Sequence, residues 1–126
     1  MEIGKLDHVN VRTKQLDTMI DWYTNILGMR SGDRPDFPFP GAWMYAGDVA
    51  AVHLVGTDDE PGTGSEVDLK LEHFAFSATG GSAFEAKLQA MNVEYRRADI
   101  SEINLYQINL WDPDGNHIHL DFPADN

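Results

Sequence analysis

Apolar and polar positions alternate with period two near residues 4–12 and again near 69–77, which predicts a strand opening each half of the chain. A helical stripe follows each strand. In the first half Asp17 stands as the N-cap, Met19, Ile20, Tyr23, Ile26 and Leu27 recur at helical spacing, and Gly28 stops the run. In the second half Ser82 caps, Phe84, Leu88 and Met91 form the stripe, and Asn92 suits the left-handed residue that closes a helix. Three strands are then predicted in each half. In the second they fall near 93–97, 103–110 and 116–122, with Asp112-Pro113-Asp114-Gly115-Asn116 as the last turn. In the first half Gly47-Asp48 plays that part, between strands near 42–46 and 49–55.

The two halves are copies of one unit. Leu6-Asp7-His8-Val9-Asn10-Val11 has the same pattern as Leu71-Glu72-His73-Phe74-Ala75-Phe76, and Val52-His53-Leu54 the same as Ile118-His119-Leu120. Both pairs lie about 65 residues apart, which makes the repeat a property of the whole chain. The expected organisation is a single domain over 1–126, of class α+β. Module one covers about 1–56, a polar Gly- and Pro-bearing linker about 57–66, and module two about 67–126. Each module runs strand-helix-strand-strand-strand.

Charge and composition narrow the function. Nine basic against 21 acidic residues leave a net charge of −12, which argues against nucleic acid and against anionic membranes as partners. An anionic substrate then requires a local positive centre, such as a metal or an Arg. The chain has no Cys, so disulfides, thiolate metal sites and a Cys nucleophile are excluded. No apolar run approaches the ~20 residues that cross a bilayer, and Met1-Glu2-Ile3-Gly4-Lys5 has no apolar signal core, so a cytoplasmic protein is expected. No phosphate-cradling Gly-rich loop and no Gly-x-Ser-x-Gly elbow are present.

The candidate chemistry lies in the histidines. Four of the five occupy the repeated positions: His8 and His73 on the opening strands, His53 and His119 on the closing ones. Strand parity puts His8, Asn10 and Arg12 on one face, His73, Ala75 and Ser77 on one face, and His117, His119 and Asp121 on one face. Their apolar neighbours take the face beneath a helix. If the two sheets curve together, the uncovered side becomes a cavity in which four imidazoles converge. Neutral imidazoles suit a divalent transition metal (zinc, nickel, cobalt, iron or manganese), which without a charged ligand keeps most of its positive charge and acts as a strong Lewis acid. The alternative for each His is a strand residue satisfied by hydrogen bonds. His117 either faces the mouth of the cavity or is a solvated strand end.

Several other side chains have two readings. Arg12 either clamps a substrate carboxylate or pairs with one of the many acids. The segment Pro35-Asp36-Phe37-Pro38-Phe39-Pro40-Gly41-Ala42-Trp43 is either a wall over an apolar part of a substrate or an aromatic plug in the core or in a dimer contact. Tyr106 and Trp111 share that ambiguity.

Leu6-Asp7-His8-Val9-Asn10-Val11-Arg12, Trp22-Tyr23-Thr24-Asn25-Ile26-Leu27-Gly28-Met29 and Asp112-Pro113-Asp114-Gly115-Asn116-His117-Ile118-His119-Leu120 together resemble the vicinal-oxygen-chelate superfamily. That group holds glyoxalase I, bleomycin and fosfomycin resistance proteins and extradiol dioxygenases. The resemblance implies paired βαβββ modules whose curved mixed sheets surround a cavity, helices outside, often in a homodimer. It places the four metal-ligand positions on His8, His53, His73 and His119. His53 and His119 fall where glyoxalase I usually has Glu, so an imidazole that leaves the metal is the expected catalytic base at either position. Arg12 matches the Arg that holds a glutathione carboxylate, and Asn10, Arg12, Trp43 and Tyr106 are the expected substrate-binding residues. The activity implied is glyoxalase-type: a small substrate chelates the metal through neighbouring oxygens and loses a proton to give an enediolate, as in a lyase or isomerase. The rivals are an extradiol-type dioxygenase using Fe(II) and a non-catalytic protein that binds a small molecule or antibiotic.

Overall fold

The structure, a computed structural model, describes residues 1–59 and 71–124. The chain divides into two compact units, Met1–Gly62 and Thr63–Asn126. Of the predicted linker, residues 57–59 are described: the Thr57 amide donates to the Thr13 carbonyl at 2.9 Å, and the Asp59 amide to the Thr57 hydroxyl at 3.1 Å. Residues 60–66 of that linker, and the start of the strand expected near 69–77, lie outside the described residues.

In the first unit, β1 (Val9–Thr13), α1 (Leu16–Asn25), β2 (Arg30–Gly32), β3 (Gly41–Ala46) and β4 (Val49–Gly56) follow one another. The four strands form one mixed sheet in the order β1-β4-β3-β2, with β1 parallel to β4 and the other pairs antiparallel. The opening strand begins at Val9 rather than near residue 4, and His8 therefore lies immediately before it. Ala42, Met44, Val52 and Leu54 are buried, and α1 lies over β2, β3 and β4. Met19 and Tyr23 of α1 are fully buried, each burial stabilising by roughly 1.5–3 kcal/mol. The helix starts two residues earlier than an Asp17 cap allows. Gln15 is the cap residue, and Asp17 sits in the first turn, where its charge complements the helix dipole. Gly28 takes a φ of 70° and ends the helix as expected.

The second unit repeats the plan with β5 (Phe74–Ser77), α2 (Gly81–Ala90), β6 (Arg96–Ile100), β7 (Leu105–Trp111) and β8 (His117–Pro123), plus a short 3-10 turn at Ser101–Ile103. Its sheet has the order β5-β8-β7-β6, with β5 parallel to β8 and the rest antiparallel. Gly80, not Ser82, caps α2, in the left-handed conformation open to glycine. Leu88 is buried, whereas Met91 is 45% exposed beyond the last turn of the helix, and Asn92 adopts the expected left-handed φ of 53°. The helix approaches its sheet so closely at Gly81 that an added Cβ would fall 1.8 Å from the Tyr106 hydroxyl and 2.9 Å from the Phe122 ring.

The turn between β7 and β8 aims the closing strand. Buried Asp112 accepts through Oδ1 from the amides of Asp114 at 3.0 Å and Asn116 at 2.9 Å, and from Asn116 Nδ2 at 3.2 Å. Gly115 supplies a φ of 85°. The resulting register sets Trp111 opposite His117, Asn109 opposite His119 and Gln107 opposite Asp121. The alternate positions, Tyr106, Ile108 and Leu110 of β7 with Ile118, Leu120 and Phe122 of β8, make the apolar layer beneath α2.

Candidate metal centre

In the first unit, one row crosses the sheet on the side away from the helix. Asn10, His53 and Trp43 are register partners across β1, β4 and β3. The His53 ring stacks on Trp43 (centroids 4.1 Å apart, 11° between planes), and on its other side the His8 ring stacks at 3.9 Å and 8°. His53 Nε2 lies 3.0 Å from the Ala50 carbonyl oxygen, which can only accept. Nε2 therefore carries the proton and Nδ1 is the basic atom. Burial first, and His8 next to it second, lower the pKa of His53 from its ordinary 6.5, so this imidazole is held neutral. His8 is tied through Nδ1 to the Asp7 carboxylate at 2.6 Å. Arg12, exposed on the same face as Asn10, makes no ion pair with any described residue.

The aromatic segment before β3 does not plug the core of this unit. Phe37 and Phe39 stack on each other at 5.1 Å and are 39% and 42% exposed. The Arg34 guanidinium lies 5.0 Å from each ring and donates to the Phe39 carbonyl at 3.0 Å. Phe37 continues the surface toward Trp43, with ring centroids 6.5 Å apart.

In the second unit His73 and His119 lie ring to ring, with centroids 4.4 Å apart. His119 is buried and donates from Nδ1 to Asp121 Oδ1 at 2.8 Å. His73 donates from Nδ1 to the Glu72 carboxylate. Glu72 also takes the Nδ1 of His117 at 3.0 Å, and the donor atoms of Glu72, His73 and His117 all lie within 4.8 Å of one another. Hydrogen bonding, chiefly from His73, lowers the Glu72 pKa, so this acid is a carboxylate at neutral pH.

His117 is no solvated strand end. It is buried, stacks on Trp111 at 5.4 Å and 14°, and bonds through Nε2 to Asn109 Oδ1 at 2.7 Å. Tyr106, by contrast, sits on the face opposite His119. It stacks on Phe122 at 5.4 Å beneath α2, with Arg97 over its ring at 4.1 Å.

Pattern reading of the strands did not single out Glu72 or Asn109. The shared Leu-acid-His at 6–8 and 71–73 was the available signal for Glu72. Asn109 follows only once the β7–β8 register is known.

A family model, the Glyoxalase/Bleomycin resistance protein/Dioxygenase superfamily, matches residues 5–120. The chain belongs to this superfamily. All four repeated histidines fall inside the matched span. A protein named Glyoxylase I 4 from Arabidopsis thaliana is 28% identical over 125 residues, covering 95% of this chain and 71% of that one. Among solved structures, a glyoxalase family protein from Bacillus anthracis superposes with a TM-score of 0.79 at 20% identity over 98% of both chains. A lactoylglutathione lyase from Agrobacterium tumefaciens does so with a TM-score of 0.71 at 13% identity, covering 98% of this chain and 97% of that one. These likenesses establish the glyoxalase fold, two helices on two four-stranded mixed sheets. No described helix is long and apolar enough to cross a membrane.

The donor set suits the divalent metal implied by the superfamily. In the second unit two imidazoles lie together with Nδ1 committed to carboxylates, and no described residue bonds to Nε2 of either. Neutral imidazole with a free ring nitrogen is the form that ligates a transition metal.

Proposed function

We propose that this superfamily member is a metal-dependent enzyme of glyoxalase type, a lyase or isomerase that moves a proton on a small substrate bearing two neighbouring oxygens. Its ligands to a divalent transition metal are His8, His53, His73 and His119. The observation that supports this reading most is the repeated pairing: in each unit the His just before the first strand lies ring to ring with the His of the last strand. When bound, the metal supplies Lewis-acid polarisation of the substrate oxygens, which acidifies the adjoining C–H.

The remaining work falls to the chain's own groups. Arg12 offers a guanidinium with no ion-pair partner among the described residues to an anionic substrate, the local positive centre that a chain of net charge −12 requires. Asn10, on the same face, adds an amide, and Trp43 adds an apolar wall. The proton is accepted by whichever of these two rings leaves the metal, at Nδ1 of His53 or at Nε2 of His119, the atoms left basic by the Ala50 carbonyl and by Asp121. The lowered pKa of His53 keeps its lone pair available at neutral pH.

Tag-free protein loaded in turn with zinc, nickel, cobalt, manganese and iron(II) tests this reading. Incubated in D2O with 2-hydroxyketones and with thiol adducts of 2-ketoaldehydes, at least one loaded form should wash deuterium into the carbon beside the carbonyl, and a chelator should stop it. Absence of exchange with every metal contradicts the proposal. Oxygen uptake with ring diols after anaerobic iron loading would then identify a dioxygenase.

A further inference from the structure

We propose that Glu72 and Asp121 are positioning residues of the metal centre: each carboxylate takes the Nδ1 proton of its neighbouring imidazole, His73 and His119 respectively, and so presents Nε2 of both rings as the ligand atoms. This inference rests on the metal-dependent reading above. A carboxylate only accepts, so a ring nitrogen bonded to it carries the proton, and in the neutral ring that ligates a metal the opposite nitrogen holds the lone pair. Two rings whose centroids are 4.4 Å apart thereby share one tautomer. The same pairing recurs in the first unit, where Asp7 holds Nδ1 of His8 at 2.6 Å.

Both acidic residues are anchored to the sheet. Asp121 lies on β8 two residues from His119, on the same face, and its carbonyl accepts from the Ala78 amide at 2.9 Å. Glu72 is held by a chain of hydrogen bonds reaching into the sheet. Asn109 Nδ2 donates to the Arg96 carbonyl at 3.1 Å, which turns Asn109 Oδ1 toward His117. His117 then donates from Nε2 to that oxygen and meets Glu72 through Nδ1. Glu72 thus bridges a buried, anchored ring and the exposed ring of His73. His117 acts on the centre through Glu72, which accounts for a fifth histidine that the repeat does not require.

An all-imidazole ligand set carries no negative charge. The outer carboxylates raise ligand basicity and supply negative charge near the metal, and loss of such partners typically costs about 10–100-fold in metal affinity.

The test uses the full chain without a His tag, with zinc affinity measured by competition against a chromophoric chelator at neutral pH. Glu72→Ala and Asp121→Ala should each weaken zinc binding by about 10–100-fold. Glu72→Gln and Asp121→Asn, which keep an acceptor oxygen and lose the charge, should weaken it less. Nitrogen-15 NMR of the metal-free protein reads the tautomer independently of activity. His73 and His119 should be protonated at Nδ1 in the wild type, and each should lose that preference in its own alanine variant. Unchanged affinity in both alanine variants of a zinc-binding protein overturns this inference and leaves the metal reading intact, as does Nδ1 found unprotonated in the wild-type rings. A Glu72→Ala loss as large as that of His73→Ala makes Glu72 a ligand and also overturns it. A wild type that binds no zinc overturns the metal reading itself, and this inference with it.

Discussion

His73→Ala purified near neutral pH should retain less than about a tenth of an equivalent of metal, and so should His8→Ala. Structural zinc sites bind with roughly 10–16 kcal/mol, so one ligand of four carries on the order of 3 kcal/mol, a loss of more than a hundredfold. The two variants probe the two units separately: His8 stacks on His53 in the first, and His73 lies against His119 in the second. His117→Ala is the matched control. It removes a partner of Glu72 but no proposed ligand, so its effect on metal content should be smaller. Elemental analysis of the three proteins checks this, and full metal content in both His8→Ala and His73→Ala refutes the ligand assignment.

The second large effect is on stability. Asp112→Ala strips the acceptor from two backbone amides and an Asn side chain in a buried turn. Leaving buried donors unsatisfied costs about 1–3 kcal/mol each, and water admitted by the smaller side chain recovers part of that, so a loss of about 3 kcal/mol is expected. The thermal midpoint should fall on the order of 10 °C. Asp112→Asn, which keeps one acceptor oxygen, should lose less. Because this turn sets the register that puts His117 and His119 on one face, Asp112→Ala should also weaken metal binding while the ligands remain in the sequence.

The repeat and the strand parity were legible in the chain because both are local. Val52 and Leu54 point under the helix, so His53 between them points away; the same holds for His119 between Ile118 and Leu120. Caps were less legible. Asp17 and Ser82 have the right chemistry, yet the helices begin earlier because Gln15 and Gly80 already stand at the entry to the first turn. Tyr106 had two readings until the β7–β8 register put it opposite Phe122, and hence on the helix side. The contact of His117 with Glu72 joins residues 45 positions apart. No period along the chain encodes it, since it depends on how β8 lies beside the residues before β5. The acid before His8 and before His73 was visible, but its role emerges only when Nδ1 is seen to point at it.

The most direct test of the central claim is a crystal structure of the tag-free protein with anomalous data collected on both sides of the absorption edge of the metal it carries. A single ion should lie about 2.0–2.1 Å from ring nitrogens of His8, His53, His73 and His119, if that metal is zinc. An ion bound instead between Glu72 and His117, or ring nitrogens of the four histidines with no ion within bonding distance in metal-saturated crystals, would contradict it.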